Sequence, residues 1–102
     1  MGEYWVYILK CSDGSLYTGC TVDLTRRLEA HLSGRASKYT RSRLPVTLGY
    51  AERAADKGRA LVREAQIKRL TRNEKLLLCN EYEARKEVEA RQPPFLVHCR
   101  LI

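Results

Sequence analysis

The side chains best equipped for chemistry are two phenols, Tyr7 and Tyr17, a guanidinium, Arg27, an imidazole one helical turn later, His31, and a carboxylate, Glu64. Together such groups move protons and hold an anion, yet each also has a plain structural explanation. Tyrosines in strands are, taken singly, more often core than catalytic. Arg27 and His31 lie beside a stripe of Leu24, Leu28 and Leu32 and suit the boundary of a helix, with Arg26 as the more solvated of the two adjacent arginines. Glu64 stands four residues before Lys68, the favourable order for a helix-surface ion pair of only ~0.3–0.5 kcal/mol. Against that, Ala60, Leu61 and Ile67 flank Glu64, turning it nearer the core than a solvated pair, where a carboxylate needs a cation.

Whether the phenols meet depends on one hairpin. Tyr4 to Cys11 (YWVYILKC) is dense in aromatic and β-branched residues and reads as a strand apolar on both faces. Ser15 to Thr21 reads as its return strand across Ser12-Asp13-Gly14. A two-residue Asp13-Gly14 turn makes paired residue numbers sum to 27, which sets Tyr7 against Cys20 and throws the two tyrosines onto opposite faces. A three-residue loop, with Gly14 in the left-handed position of a bulge, makes them sum to 26. Tyr7 then opposes Gly19, Tyr17 opposes Leu9, and both phenols share a face. Asp-Gly is compatible with either; the bulged loop is the expectation, with Gly19 leaving open space beside Tyr7 for a phosphate.

Asp23 caps a helix that stops at Gly34, and residues 35–45 form a polar, basic connection closed by Pro45. Val46 to Ala51 reads as a third strand, and Asp56 caps a helix to about Leu70. Thr71 and Glu74 have capping-box spacing, so a separate helix starts there and runs to Pro93-Pro94. The expected fold is α+β: a small three-stranded, mostly antiparallel sheet packed with about three helices in the order β-β-α-β-α-α. A chain of 102 residues supports one core; residues 1–92 read as one domain, and 93–102 as a tail that is either an edge strand or disordered.

Nineteen Lys and Arg against twelve Asp and Glu give a net charge of +7 and a pI near 9.5, the electrostatic footprint of a nucleic-acid binder as well as of a merely basic soluble protein. Residues 26–43 hold Arg26, Arg27, Arg35, Lys38, Arg41 and Arg43 against Glu29, with Tyr39 among them. An exposed basic loop with an aromatic suits phosphate contact and base stacking, though charge runs are often only solvated. Lys68, Arg69, Arg72 and Lys75 form a second basic surface. The four cysteines contain no C-x-x-C pair and do not join His31 and His98 at zinc-like spacing; reduced thiols are expected. No apolar run approaches the ~18 residues of a membrane span, and no secretory signal is read at the N-terminus, so a cytoplasmic protein with no membrane partner is expected.

Trp5-Val6-Tyr7, Tyr17-Thr18-Gly19, Asp23-Leu24-x-x-Arg27-Leu28-x-x-His31 and Arg63-Glu64, in that order and spacing, resemble the GIY-YIG nuclease domain over roughly residues 4–80. Within that superfamily the chain is similar to the small stand-alone bacterial YhbQ-like group. It departs in reading W-V-Y for G-I-Y and Y-T-G for Y-I-G, keeping the tyrosines and the glycine. Asn73 and Asn80 both compete for the asparagine many members carry late in the domain, and neither is assigned.

The resemblance implies one divalent cation, Mg2+ or Mn2+, on Glu64. It implies a phosphate on Arg27, Tyr7 and Tyr17 near the nucleophile with Gly19 beside them, and His31 sharing the proton work. A free phenol has a pKa of ~10, and Arg27 and a metal would both favour phenolate. Tyr7 is expected to take the proton from water, directly or through His31, while Tyr17 positions water or phosphate. The expected function is a metal-dependent endonuclease on DNA, with RNA left open. Selection is expected to be for structure rather than sequence, with a role in repair or recombination and a protein partner for targeting. The alternatives are a non-catalytic nucleic-acid-binding module with the same fold and, third, a docking protein using the charged helix at 81–91.

Overall fold

The alternation of β1 explains the whole layering. In the computed structural model, which describes residues 3–91, β1 spans Tyr4–Lys10 and is the middle strand of the order β2-β1-β3. With β2 at Leu16–Thr21 and β3 at Thr47–Ala54 antiparallel on either side, both its edges are hydrogen-bonded. Both of its faces are covered as well, so Val6, Tyr7, Ile8 and Leu9 are all buried. Val6 and Ile8 pack with Tyr50, Ala60, Ile67 and Cys79 under the long helices α3 (Lys57–Arg69) and α4 (Arg72–Arg91). Tyr7, Leu9, Cys11 and Val46 face the other way, where Leu24 and Leu28 of α1 (Leu24–Leu32) cover them together with Tyr17. A strand apolar on both faces is the sequence signature of such a central position.

The hairpin takes the bulged loop. Cys11 donates its N–H to the Ser15 carbonyl at 2.9 Å, and Gly14, at φ +85°, donates to the Cys11 carbonyl at 3.0 Å. Tyr7 therefore pairs with Gly19 and Tyr17 with Leu9, and both rings lie on the α1 face. The Asp13 carboxylate closes the turn by accepting from the Ser15 N–H and hydroxyl. Distant elements then lock it: Arg43 binds Asp13 Oδ2 at 2.9 Å, and Arg72 donates to the Gly14 carbonyl at 2.6 Å.

The expected caps all form. Asp23 accepts from the Arg26 N–H, Asp56 from the Arg59 N–H, and Thr71 and Glu74 exchange bonds as a capping box. The architecture is α+β as expected, with a fourth helix. The connection at 35–45 contains a short α2 (Lys38–Arg41), capped by Ser37, whose hydroxyl accepts from the N–H groups of Tyr39 and Thr40. The order is thus β-β-α-α-β-α-α. Strand β3 runs three residues past the expected end at Ala51, because Glu52, Arg53 and Ala54 pair with Val6, Trp5 and Tyr4. Those charged side chains carry weak strand propensity but find partners: Glu52 binds Arg63, and Arg53 binds Glu3 and lies over the Trp5 ring. Leu32, expected in the α1 stripe, is 54% exposed, and His31 is fully buried in its place. Seven residues after Leu24, His31 falls closer to the centre of the Leu24/Leu28 face than Leu32 does at eight.

Cys11, Cys20 and Cys79 are free thiols, and among the described residues no helix is long and apolar enough to cross a membrane. The expected tail at 93–102, with His98 and Cys99, lies outside the described residues.

Candidate active site

Four elements bring their side chains together on the α1 face of the β1–β2 ladder. Strand alternation turns Tyr7 and Tyr17 toward α1, and α1 turns His31 back toward them. The Tyr7 hydroxyl and His31 Nε2 are 3.0 Å apart, and the Tyr17 ring meets the His31 ring edge-on at 5.2 Å between centroids. On its far side, His31 Nδ1 lies 2.9 Å from the hydroxyl of Thr40 on α2. Thr40 is fully buried, and its hydroxyl also reaches the Ser37 carbonyl at 3.4 Å. A second column starts at Tyr17: the Tyr39 ring stacks beside it at 5.9 Å, and the guanidinium of Arg43 sits 3.8 Å above Tyr39.

Gly19 is where the register matters most. A Cβ there would lie 2.6 Å from the Tyr7 hydroxyl oxygen, inside any real contact distance. The space expected to stand open for a phosphate is instead filled by the Tyr7 phenol. Glycine at 19 seats the ring rather than the substrate, because the cross-strand partner of an inward-facing tyrosine must leave room for it.

The electrostatics follow from burial. Tyr7 is 1% exposed, and this burial pushes its phenol well above the ordinary range, with the neighbouring Tyr17 adding to the rise. Arg27 pulls the other way and is outweighed. The expected tilt toward phenolate therefore does not arise from these side chains, and Tyr7 keeps its proton at neutral pH. Burial, with Arg27 second, lowers the His31 pKa below its usual 6.5, which leaves the imidazole neutral. A protonated phenol thus faces a neutral imidazole.

Glu64 comes from α3, which packs on the side of the sheet opposite Tyr7 and Tyr17. Its side chain is 17% exposed, and Lys68 holds Oε2 at 2.9 Å; the inward tilt and the helix ion pair both exist. Burial first, and then the nearby Glu64 carboxylate, raises the pKa of the Cys20 thiol. The Glu64 charge reaches Tyr7 and opposes ionisation there, while Tyr17 and Cys20 both help to raise Lys68 after the Glu64 bond itself. Arg27 is exposed, in a concavity of about 290 Å³ lined also by Thr21, Val22, Asp23, Arg26 and Ala30.

The cations expected to touch nucleic acid divide into two sets. Arg26, Arg35, Lys38 and Arg41 are exposed, with the Arg35 guanidinium donating to the neighbouring Ser33 hydroxyl. Arg43, Lys68 and Arg72 hold the intramolecular partners described above. Tyr39 is 38% exposed but already covered by Arg43. Asn73 and Asn80 are exposed on α4. Thr40 is the residue that sequence reasoning missed. A threonine inside a basic connection carries no local sign of burial, and only the docking of α2 against α1 reveals it.

Residues 3–77 match the GIY-YIG catalytic domain. A UPF0213 protein of Staphylococcus aureus is 51% identical over 81 residues, which is 79% of this chain and 99% of that protein. The solution NMR structure of protein EF2693 from E. faecalis is 35% identical, with 82% of this chain and 90% of that one covered at a TM-score of 0.56. The register that seats Tyr7 over Gly19, the helix that carries Arg27 and His31, and these likenesses agree: the chain belongs to the GIY-YIG family of nuclease domains.

Proposed function

We propose that this chain is a divalent-metal-dependent endonuclease that hydrolyses phosphodiester bonds in DNA. We take it to select branched, nicked or single-stranded structures and to serve repair or recombination. The observation that carries the reading is the 3.0 Å contact between Tyr7 and His31, with the Tyr17 ring against His31 and the charges of Arg27 and Glu64 acting on Tyr7. Hydrolysis needs a deprotonated water, donors for the charge on the non-bridging oxygens, and relief of charge on the leaving oxygen.

Among the described residues no three His, Cys, Asp or Glu side chains gather as a metal cluster. One carboxylate is too few for a zinc or calcium cage. It suits Mg2+ or Mn2+, which keep several waters and take phosphate oxygens as further ligands, so Glu64 is the residue that would hold the cation. When bound, that cation would supply charge neutralisation at the phosphate.

The chain's own residues do the rest. The attacking water gives its proton to the Tyr7 hydroxyl oxygen as the Tyr7 proton passes to His31 Nε2. One water O–H bond and the original phenol O–H bond break; a new phenol O–H and an Nε2–H form, leaving a neutral phenol and an imidazolium. The water oxygen bonds to phosphorus, the ester P–O bond breaks, and the departing oxygen is protonated from solvent. Arg27 binds the phosphate, and Tyr17, braced by Tyr39, orients the water. The exposed Arg26, Lys38 and Arg41 extend the cationic surface along a nucleic-acid strand.

The test is incubation of the purified protein with single-stranded, duplex and branched DNA in Mg2+ or Mn2+, beside a Glu64→Ala variant. Cleavage that the variant loses is the expected result. Binding to all three substrates without cleavage by either protein would overturn the enzyme and favour a binding module.

A further inference from the structure

We propose that Thr40 is a positioning residue that fixes the tautomer of His31, so that Nδ1 carries the proton and Nε2 stays bare to receive the one from Tyr7. The inference rests on the proton route above and adds a residue to it. Two ends of one hydrogen-bond chain lead to the same assignment. At one end, the Tyr7 hydroxyl is a buried donor that keeps its proton, and His31 Nε2 at 3.0 Å is the acceptor found for it among the described residues. If Nε2 carried the hydrogen, it would donate to the phenol oxygen and leave the buried Tyr7 O–H without an acceptor among the described residues, an arrangement that buried polar groups avoid. At the other end, the Thr40 hydroxyl has a carbonyl to donate to, that of Ser37. Its lone pair is then free to accept from His31 Nδ1–H at 2.9 Å. In the order Tyr7 O–H, His31, Thr40 O–H, Ser37 C=O, every hydroxyl and ring nitrogen is satisfied. The reverse order strands the Tyr7 hydroxyl and gives up the Ser37 bond.

The fold builds this deliberately into a short segment. Ser37 caps α2 through its hydroxyl while its carbonyl receives the Arg41 N–H at 3.0 Å and the Thr40 hydroxyl. One turn of helix therefore aims one side-chain oxygen at one ring nitrogen. Hydrogen-bond partners of this kind set which nitrogen of a histidine is available for chemistry.

The experiment is a long-range proton–nitrogen correlation spectrum of the full-length protein, wild type, Thr40→Val and Thr40→Ser, with the His31 signals assigned by their loss in His31→Gln. Wild type and Thr40→Ser should show a protonated Nδ1 and a bare Nε2, and Thr40→Val should lose that pattern. In the same proteins kcat on DNA should fall about 10–100-fold in Thr40→Val, with KM little changed, and recover in Thr40→Ser. A protonated Nε2 in the wild type, or an unchanged tautomer in Thr40→Val, would overturn the proposal even if that variant were less stable. Should Thr40→Val fail to fold, the wild-type and Thr40→Ser spectra still decide it. Should no variant cleave DNA while the spectra behave as expected, the nuclease reading fails and the tautomer assignment stands.

Discussion

A methyl group at position 19 would sit 2.6 Å from the Tyr7 hydroxyl oxygen, so Gly19→Ala has to displace the ring from His31. Overpacking of this kind costs about 1–3 kcal/mol, and cleavage should fall with it; a crystal structure or ring NMR shift of the variant reads the displacement directly. Tyr7→Phe is the sterically milder probe, removing one oxygen. We expect about 10²–10⁴-fold slower cleavage, the usual worth of a general acid–base group, with about 1–3 kcal/mol of stability lost because buried His31 Nε2 is left without its partner. Unimpaired cleavage by the folded variant would remove Tyr7 from the mechanism. His31 adds a pH signature. Its folded-state pKa lies below 6.5, so as pH falls the unfolded chain takes up a proton first. The stability linked to the neutral ring is full above pH 6.5 and is lost as pH drops through the folded value. Denaturant titrations at several pH values should show this slope in wild type and lose it in His31→Gln. The acid limb of the cleavage profile should likewise lie below pH 6.5, since the base is the neutral ring.

Among the elements, the β1–β2 hairpin decides the site, because a shift of one residue would send Tyr7 and Tyr17 to opposite sides of the sheet. Its loop is held by Gly14 at φ +85° and by side chains from α2's connection and from α4. An alanine at 14 meets nothing closer than the Arg72 guanidinium at 3.8 Å, so its cost is conformational rather than steric. Gly14→Ala should destabilise by roughly 1–2 kcal/mol, the penalty of a side chain in the left-handed region, measured by urea denaturation. Removing the capping box with Thr71→Ala should cost about 1 kcal/mol and leave the site intact. The helix α2 was not legible beforehand. Four residues are too few for an apolar period, and its one buried side chain, Thr40, is polar.

Across the molecule, the excess of positive charge overstates the cations ready for a polyanion. Arg43, Lys68 and Arg72 hold intramolecular partners, Lys68 and Arg72 while still exposed, whereas Arg26, Arg27, Arg35, Lys38 and Arg41 are exposed. If those five meet phosphates, the logarithm of DNA affinity should fall against the logarithm of salt concentration with a slope of about −4 to −5. Lys38→Ala or Arg41→Ala should each make the slope shallower by about 1, while Arg43→Ala should lower the melting temperature instead. Affinity insensitive to salt would exclude this surface. The same distinction separates charge composition, which is read by counting, from charge placement, which is set by where side chains find partners.

Periodic and local signals in the sequence lay out most of this architecture. The double-sided apolar β1, the caps at Asp23, Asp56 and Thr71, and the glycine-closed loop each depend on residues a few positions apart. The shared face of the two phenols follows from that loop by counting. What counting could not reach was the meeting of groups distant along the chain: Tyr7 with His31 across 24 residues, and Arg72 with Gly14 across 58. The burial that keeps the Tyr7 proton in place and the hydroxyl of Thr40 behind His31 exist only once the helices dock. Packing, not propensity, sets which polar atoms lose water and must find each other.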